Sequence, residues 1–302
     1  MGAAMIHLVR GPAIAVSVAA SAFFIVSASA APAPDFSGIW AHPFLTGFEP
    51  PESGPGPVLN RSRRPDGAGN FQQLVGDYTN PILKPHAAEI VKKHGEMSLA
   101  GIGYPTPSNQ CWPGGVPYVF WDFLLQMFQQ QDHITMVYRQ GNEVRRVRMN
   151  ESHPAVVTPS WYGDSVGRYE GDTLVIDTVG IRKGPFPMLD MYGTPFSEKL
   201  HVVERYRLVD YDDAKDEIER NQKENFQPGA GNGAEFDPSY RGKVLQLHFT
   251  VEDEEVFTMP WTATITYRPN IGSWTEQICA ENRREYYNNR DSAVPADDTP
   301  DF

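Results

Sequence analysis

The sequence predicts a mainly β protein: an antiparallel up-and-down barrel of lipocalin-like type with one or two short helices. Three observations lead to this prediction. From Phe123 onward, short β-prone runs follow one another, and several alternate apolar and polar residues with the period of two typical of half-buried strands. Short turns join these runs, which favours antiparallel neighbours in chain order. A closed barrel exposes no strand edge and leaves an interior for a ligand, and a β-sandwich is the alternative.

Residues 1–30 have the pattern of a secretory signal peptide. Arg10 is the only Lys or Arg before an apolar run from 13 to 26, and Ala28-Ser29-Ala30 forms a cleavage site. The apolar run is shorter than the roughly 20 residues that span a bilayer. We therefore expect export to the periplasm or secretion, with no integral membrane segment after cleavage.

Residues 31–287 are predicted to form a single β-rich domain. It contains a long irregular N-terminal segment, 41–118, rich in Pro and Gly, and an insertion, 211–242; an acidic tail, 288–302, is expected to be disordered. The formal net charge of −12 argues against nucleic acid or an anionic membrane as partner. A small aromatic substrate is compatible with this charge, and the sequence carries no signal for the oligomeric state.

The elements follow in order from these patterns. A short apolar strand, Phe36 to Trp40, opens the domain, and the best helix runs from Leu83 to His94, with Pro85 in its first turn and Gly95 as its stop. The stretch from Thr158 to Gly180 is a β-hairpin around the turn Glu170-Gly171-Asp172. The remaining predicted strands are Phe123–Gln130, Ile134–Arg139, Glu143–Met149, His201–Val209, Val244–Val251, Val256–Arg268 and Trp274–Ala280.

Cys111 and Cys279 are the two cysteines of the chain. Export places them in an oxidising compartment, so a single disulfide is the first expectation. Two separate buried thiols are the alternative, because the sequence does not place their Cα atoms within bridging distance.

Two carboxylates interrupt apolar strand faces. Glu204 falls among Val202, Tyr206 and Leu208, where an ionised group needs a partner such as an arginine, or a wet cavity that raises its pKa. Asp177 lies in mid-strand, either facing solvent or serving a site. His153, in a loop, and His201, at the start of a strand, are acid/base candidates, although most lone histidines are ordinary polar residues.

Arginines and aromatic residues supply candidate binding groups. Arg146 and Arg168 could hold a carboxylate through charge-assisted bonds, although a solvated strand face is the common explanation of such residues. Trp161 and Tyr162, adjacent in a turn, would suit an aromatic ligand by stacking.

Several site classes lack support in the sequence. There is no HxH or HExxH spacing, so no metal site is expected. No GxSxG elbow, P-loop or GxGxxG segment before a helix occurs, so no hydrolase triad of that class and no phosphate or dinucleotide site is expected. We expect no cofactor.

The chain resembles a family of exported bacterial proteins, in pieces from Asp35 to Asn282. The resemblance rests on FSGIW at 36–40, CxPxGVP at 111–117, His153-Pro154, PSWxGxSxGRxEGDTLVxDT at 159–178, HVVER at 201–205 and ICxEN at 278–282. It implies a link with enzymes that decarboxylate aromatic acids derived from lignin dimers. Tyr118 stands where a basic residue is usual, and the insertion is long, so the substrate does not carry over.

Together these features predict an exported, cofactor-independent lyase that decarboxylates a bulky aromatic acid. Arg146 and Arg168 would hold the carboxylate, and Trp161 and Tyr162 would stack on the ring. His153 or His201 would act as acid or base, oriented by Glu204, with Asp177 as a further charged group. A non-catalytic binder of a hydrophobic ligand, with an apolar lumen, is the alternative.

Overall fold

The structure is a computed structural model, and it describes residues 1–2, 33–43, 47–224, 234–278, 284–285 and 290–291. Its contacts divide the chain into Met1–Pro32 and Ala33–Phe302, and the fold and the sites lie in the second unit. The predicted signal peptide lies outside the described residues from its third residue onward. So do Cys279 and all of the predicted tail except Arg290 and Asp291.

Nine strands close into a barrel in chain order, so the prediction of a mainly β barrel is confirmed. Two short helices accompany them, α1 (Pro85–Leu99) and α2 (Lys215–Glu224), and β10 (Arg284–Glu285) pairs with β11 (Arg290–Asp291). No helix in the described part of the chain is long and apolar enough to cross a membrane. The barrel strands are β1 (Gly38–Ala41), β2 (Leu124–Gln129), β3 (His133–Tyr138), β4 (Glu143–Met149), β5 (Asp164–Glu170), β6 (Thr173–Val179), β7 (His201–Asp210), β8 (Lys243–Glu252) and β9 (Trp261–Pro269).

One pair of neighbours departs from the predicted antiparallel order. Strands β4 and β5 are parallel, with only two register pairs, Arg148 with Val166 and Met149 with Gly167. Parallel neighbours need a crossover, and residues 150–163 carry the chain back along the barrel between the two strands. We call this stretch the crossover segment and the β4–β5 contact the seam.

The predicted hairpin around Gly171 is confirmed. Strands β5 and β6 pair from Asp164–Val179 to Glu170–Thr173, and Gly171 has a φ of +64°, a conformation that favours glycine in a tight turn. Gly167 lies at the seam, where an added Cβ would meet the Met149 Sδ at 2.7 Å. The chain therefore needs its smallest residue where β5 joins β4.

Three boundary predictions were wrong. Helix α1 continues past Gly95 to Leu99, because Gly95 is buried inside the helix against Val75 rather than ending it. Strand β9 begins at Trp261, not Val256. Residues 274–278, the described part of the last predicted strand, form no strand; instead the side chain and the carbonyl of Gln277 accept hydrogen bonds from Arg139 and Asn142.

The barrel interior is packed with side chains. Alternate residues of each strand point inward, and large fully buried residues from β3, β7, β8 and β9 belong to one cluster. They include Tyr138, Tyr206, Phe249, Trp261 and Tyr267. Buried apolar residues alternate along β8 and β9: Leu245, Leu247, Phe249 and Val251, and Trp261, Ala263, Ile265 and Tyr267.

A buried ion pair lies within this apolar interior. Arg145 of β4 donates to both carboxylate oxygens of Glu204 on β7, at 2.9 and 2.6 Å, and both side chains are fully buried. The same guanidinium reaches the Ser165 Oγ of β5 at 3.1 Å and the Thr178 Oγ1 of β6 at 2.7 Å. Tyr206 donates its hydroxyl to Glu204 at 3.0 Å. The partner expected for Glu204 is therefore Arg145, which links four consecutive strands across the seam.

Replacing Glu204 by leucine should lower the free energy of unfolding by about 3–5 kcal/mol, because Arg145 is left as an uncompensated buried charge. The double variant Arg145→Met with Glu204→Leu should recover most of this loss. Equilibrium urea unfolding followed by circular dichroism measures both.

Arg168→Ala is the matched control, because it breaks an exposed ion pair with Glu170 and should leave the unfolding midpoint unchanged. If the single and double variants lost the same free energy of unfolding, the uncompensated charge of Arg145 would not be the cause of the loss.

Candidate functional site

Two histidines and two aspartates meet on the outer wall of the barrel. Asp177 on β6 contacts the Nε2 atoms of both His153 and His201, each at 3.0 Å from its Oδ1. The His153 Nδ1 lies 2.6 Å from Asp164 on β5. We call His153, Asp164, Asp177 and His201 the outer-wall cluster.

The cluster is electrostatically coupled. The hydrogen bond between Asp177 and His201 is the main reason why the pKa of Asp177 lies below its usual range. The hydrogen bond with His153 lowers this pKa further, and partial burial opposes both effects. The same bond to Asp177 raises the pKa of His201 despite its partial burial. Arg148 donates to Asp164 at 2.7 Å and holds the pKa of that carboxyl low. Near neutral pH the carboxylates are charged, and they favour the protonated form of His201.

The cluster fastens the crossover segment to the barrel. His153 belongs to that segment, and its ring bridges Asp164 and Asp177 on two adjacent strands. The side chains of His153 and His201 are 25% and 31% exposed, so the cluster is open to solvent. Both nitrogens of His153 face carboxylates, which leaves neither directed at a ligand. The described residues include no group of three or more His, Cys, Asp or Glu placed to hold a metal ion.

The other predicted charged residues lie elsewhere. Glu204 is inside the barrel and its hydrogen bonds are with Arg145, Tyr206 and Thr178, so the carboxylate that contacts the two histidines is Asp177. Arg146 and Arg168 are both exposed, and Arg168 pairs with Glu170 at 2.5 Å. The structure therefore brings together His153, His201 and Asp177 and leaves these two arginines apart from them.

The predicted aromatic pair, Trp161 and Tyr162, lies apart from the outer-wall cluster. The Trp161 ring lies edge-on to Trp112, with centroids 5.3 Å apart, and Arg182 lies over it at 5.5 Å. Tyr162 donates its hydroxyl to Glu143 at the start of β4. Glu143 in turn lines a cavity at the end of the barrel, so Tyr162 contacts a residue of the cavity wall.

The cavity, which we call the mouth cavity, lies where β2 and β4 begin and has a volume of about 420 Å³. This volume falls within the range of small-molecule sites. Its walls are mainly apolar, and Trp112 contributes a ring that is 41% exposed. The lining residues that bear on its chemistry are Trp112, Tyr118, Val119, Trp121, Asp122 and Glu143.

Two carboxyl groups of the mouth cavity have pKa values above the ordinary range. Burial raises the pKa of Asp122 to about 7. The amides of Gln140 and Leu124 donate hydrogen bonds to Asp122 and lower its pKa, whereas the charge of Glu143 raises it. Burial also raises the pKa of Glu143, although Tyr162 and the Gly114 amide donate to it. Carboxyl groups with raised pKa in a concave apolar pocket are candidates for acid catalysis.

Neither Asp122 nor Glu143 is among the candidate residues that the sequence indicates, although a local pattern surrounds Asp122. It stands between two apolar runs, Tyr118–Trp121 and Phe123–Leu125, as Glu204 stands among apolar residues. Glu143 follows the turn at Gly141 and Asn142, and it looks like an ordinary turn residue in the sequence.

Cys111 and Ile278 both line the mouth cavity. Ile278 directly precedes Cys279, which lies outside the described residues, so the disulfide stays a prediction. The segment that leads to Cys279 nevertheless runs along the rim that contains Cys111.

Comparison of the chain with protein-family models, curated proteins and solved structures finds no match. The assignment of a site therefore rests on geometry and electrostatics.

Changing Asp177 to Asn should lower the pKa of His201 toward its ordinary value, because the hydrogen bond to a charged carboxylate is lost. The raised pKa means that the contact stabilises the fold below the ordinary pKa of histidine, as long as Asp177 stays ionised, and that this stabilisation fades as pH rises through the pKa of His201. Titration of the histidine ring signals by NMR, assigned with His201→Gln, measures the shift. An unchanged His201 pKa in Asp177→Asn would contradict the coupling.

Proposed function

We propose that this protein is an exported, cofactor-independent lyase that decarboxylates a bulky aromatic carboxylic acid in the mouth cavity. The observation that carries the proposal is the location of Asp122, whose pKa is raised to about 7, in an apolar cavity of about 420 Å³. The resemblance to exported proteins linked with aromatic-acid decarboxylases supports the same reaction class.

Decarboxylation needs a proton at one carbon. The bond between the carboxylate and the adjacent carbon breaks, its electron pair stays on that carbon, and CO₂ leaves. The carbon must then gain a proton, and a carboxylic acid that is still protonated near neutral pH is suited to donate it. In the proposal Asp122 donates this proton and regains one from solvent, so atoms and electrons balance.

The apolar walls favour the same reaction. A carboxylate concentrates negative charge on two oxygens, and this charge spreads into the aromatic system as CO₂ departs. Apolar surroundings therefore disfavour the bound carboxylate more than the transition state. The rings of Trp112 and Trp121 line the cavity and provide surface for an aromatic substrate.

Glu143 has a positioning role in this proposal. Its charge adds to the effect of burial on the pKa of Asp122, and this favours the proton-donating form of Asp122. Tyr162 and the Gly114 amide donate to Glu143 and so hold its side chain in place. In this arrangement Tyr162 acts through Glu143.

The outer-wall cluster is the second candidate for catalysis. Asp177 raises the pKa of His201, whose imidazolium could donate a proton. His153, Asp177 and His201 all come from motifs that carry the resemblance to the exported family. The cluster lies on an exposed wall, so it lacks the exclusion of water that favours decarboxylation. Loss of CO₂ release in folded His153→Ala or His201→Ala, with activity retained in Asp122→Asn, would move the reaction to the outer wall.

A non-catalytic binder of an aromatic ligand is the alternative function. The mainly apolar lining of the mouth cavity favours it. Saturable binding of aromatic acids without CO₂ release under any condition would support it over the lyase.

Export to the periplasm or secretion and a Cys111–Cys279 disulfide belong to the same proposal. A bridge there would fasten the cavity rim formed by Cys111 and Ile278. Mass analysis of peptides from the unreduced protein distinguishes a bridge from two thiols.

Asp122→Asn should lower the rate of CO₂ release by about a hundredfold or more, because an amide side chain does not act as an acid near neutral pH and so cannot supply the proton. Purified protein incubated with cinnamate-type and phenylcoumaran-type acids provides the assay. Asp132→Asn, which removes an exposed aspartate, is the matched control. Full activity in folded Asp122→Asn would refute the assignment.

Glu143→Gln should move the high-pH fall of activity to lower pH. The reaction needs protonated Asp122, so activity is present below the pKa of that group and is lost above it. Removing the charge of Glu143 lowers this pKa. The pH dependence of kcat measures the shift.

Glu151→Gln removes a carboxylate that pairs with Arg148 on the outer wall, and it should leave the pH profile of kcat unchanged. An equal shift in both variants would indicate a general effect of net charge.

A further inference from the structure

Two arginines are buried in the part of the chain that the structure describes, Arg145 and Arg268. Arg145 has both carboxylate oxygens of Glu204 as partners. Arg268, near the end of β9, is only 6% exposed, and no carboxylate of the described residues pairs with it. A buried charge destabilises the fold unless an opposite charge accompanies it. The surroundings of Arg268 therefore lack one negative charge.

The described groups around Arg268 do not supply that charge. Its guanidinium carbon lies 3.7 Å from the ring centroid of Phe236, in a cation–π contact. The side-chain amide of Gln222 on α2 faces its two terminal nitrogens, and with the amide oxygen directed at them it accepts hydrogen bonds at 3.2 and 3.0 Å. Burial lowers the pKa of Arg268, Tyr211 opposes this effect, and the charge of Arg241 lowers the pKa further.

The buried carboxylate on α2 has other partners. Glu217 accepts hydrogen bonds from the Thr266 Oγ1 at 2.6 Å and from the Gln246 Nε2 at 3.3 Å. Thr266 precedes Arg268 by two residues on β9, so the carboxylate reaches this strand at the neighbouring outward position. Helix α2 thus contributes to Arg268 only the neutral amide of Gln222.

Arg241 brings a second positive charge to the same place. Its guanidinium lies 4.6 Å from the ring centroid of Tyr211 and donates to the carbonyls of Pro238 and Tyr240. Arg241 is exposed, and it has no ion pair among the described residues. Two neighbouring arginines without a counter-ion thus occur in a chain whose formal net charge is −12. Guanidinium groups bind carboxylate and phosphate through charge-assisted hydrogen bonds.

We propose that Arg268 and Arg241 form a binding site for an oxyanion from solution, a carboxylate or a phosphate group. The arginines supply the hydrogen-bond donors, and the anion supplies the charge that the buried guanidinium lacks. Arg268 belongs to β9 and Arg241 to the predicted insertion, 211–242, so a bound anion fastens the insertion to the barrel wall. Neither arginine lines the mouth cavity, and the site does not depend on the proposed function.

Calorimetric titration of the full chain with inorganic phosphate, and separately with succinate, at constant ionic strength tests the site. Arg268→Met should raise the dissociation constant of both anions by about tenfold or more. Phosphate should raise the melting temperature of the wild type and not that of Arg268→Met, because a ligand that binds only the folded state stabilises it. Arg241→Gln, a change at an exposed residue, should weaken binding by a smaller factor, and it keeps the test valid if Arg268→Met does not fold.

Arg61→Gln is the matched control. Arg61 also lies over an aromatic ring, that of Tyr78 at 5.1 Å, but it has a carboxylate partner in Asp77. This variant should bind both anions as the wild type does. No saturable binding to the wild type, unchanged binding in both Arg268→Met and Arg241→Gln, or an equal loss in Arg61→Gln would overturn the site.

The acidic tail is the other source of an oxyanion, because it contains Asp297, Asp298 and Asp301. Changing these three residues to Asn should leave the dissociation constants for phosphate and succinate unchanged. Binding of phosphate that is seen only in this triple variant would assign the anion to the chain itself and overturn the binding of a free anion.

Discussion

The fold depends on one buried ion pair, between Arg145 and Glu204. The seam between β4 and β5 has only two register pairs, and the guanidinium of Arg145 crosses it to reach Ser165, Thr178 and Glu204 on the next three strands. On the outer face, Arg148 crosses the same seam to Asp164. Polar contacts on both faces thus hold the barrel closed at a pair of strands with only two register pairs, and loss of either buried charge would leave the other uncompensated.

This constraint also bears on where chemistry can occur. Glu204 is saturated by an arginine inside a packed barrel, and Asp177 is held charged by two histidines on the outer wall. Among the described residues, the donors to Asp122 are the backbone amides of Leu124 and Gln140, and Asp122 is buried near Glu143 at the end of the barrel. Identical functional groups therefore have three different environments, and Asp122 is the one for which burial favours a neutral acid near pH 7.

Much of the fold followed from local patterns. The alternation in β7 predicted that Glu204 falls on an apolar face and needs a partner such as an arginine, and the structure identifies that partner as Arg145. The parallel seam could not be predicted, because the crossover segment, 150–163, contains no helix to announce it. The prediction that Gly95 ends the helix was wrong, because a glycine that allows close packing against Val75 has the same sequence pattern as one that ends a helix.

The candidate sites were less predictable. His153, His201 and Asp177 were selected separately, and their contact depends on the path of the crossover segment. Asp122 and Glu143 lie next to an irregular region rich in Pro and Gly, whose course is set by long-range packing and not by local periodicity. The apolar runs around Asp122 were the one local sign of a buried carboxyl group.

The proposed function requires Asp122 to be a neutral carboxylic acid in the mouth cavity near neutral pH. Infrared difference spectroscopy of the wild type against Asp122→Asn tests it directly, since a protonated carboxyl group has a carbonyl stretching band that a carboxylate lacks. This band should be present in slightly acidic solution, disappear as pH rises through about 7, and be absent from the variant. A wild-type spectrum in which Asp122 is ionised throughout this range would contradict the account.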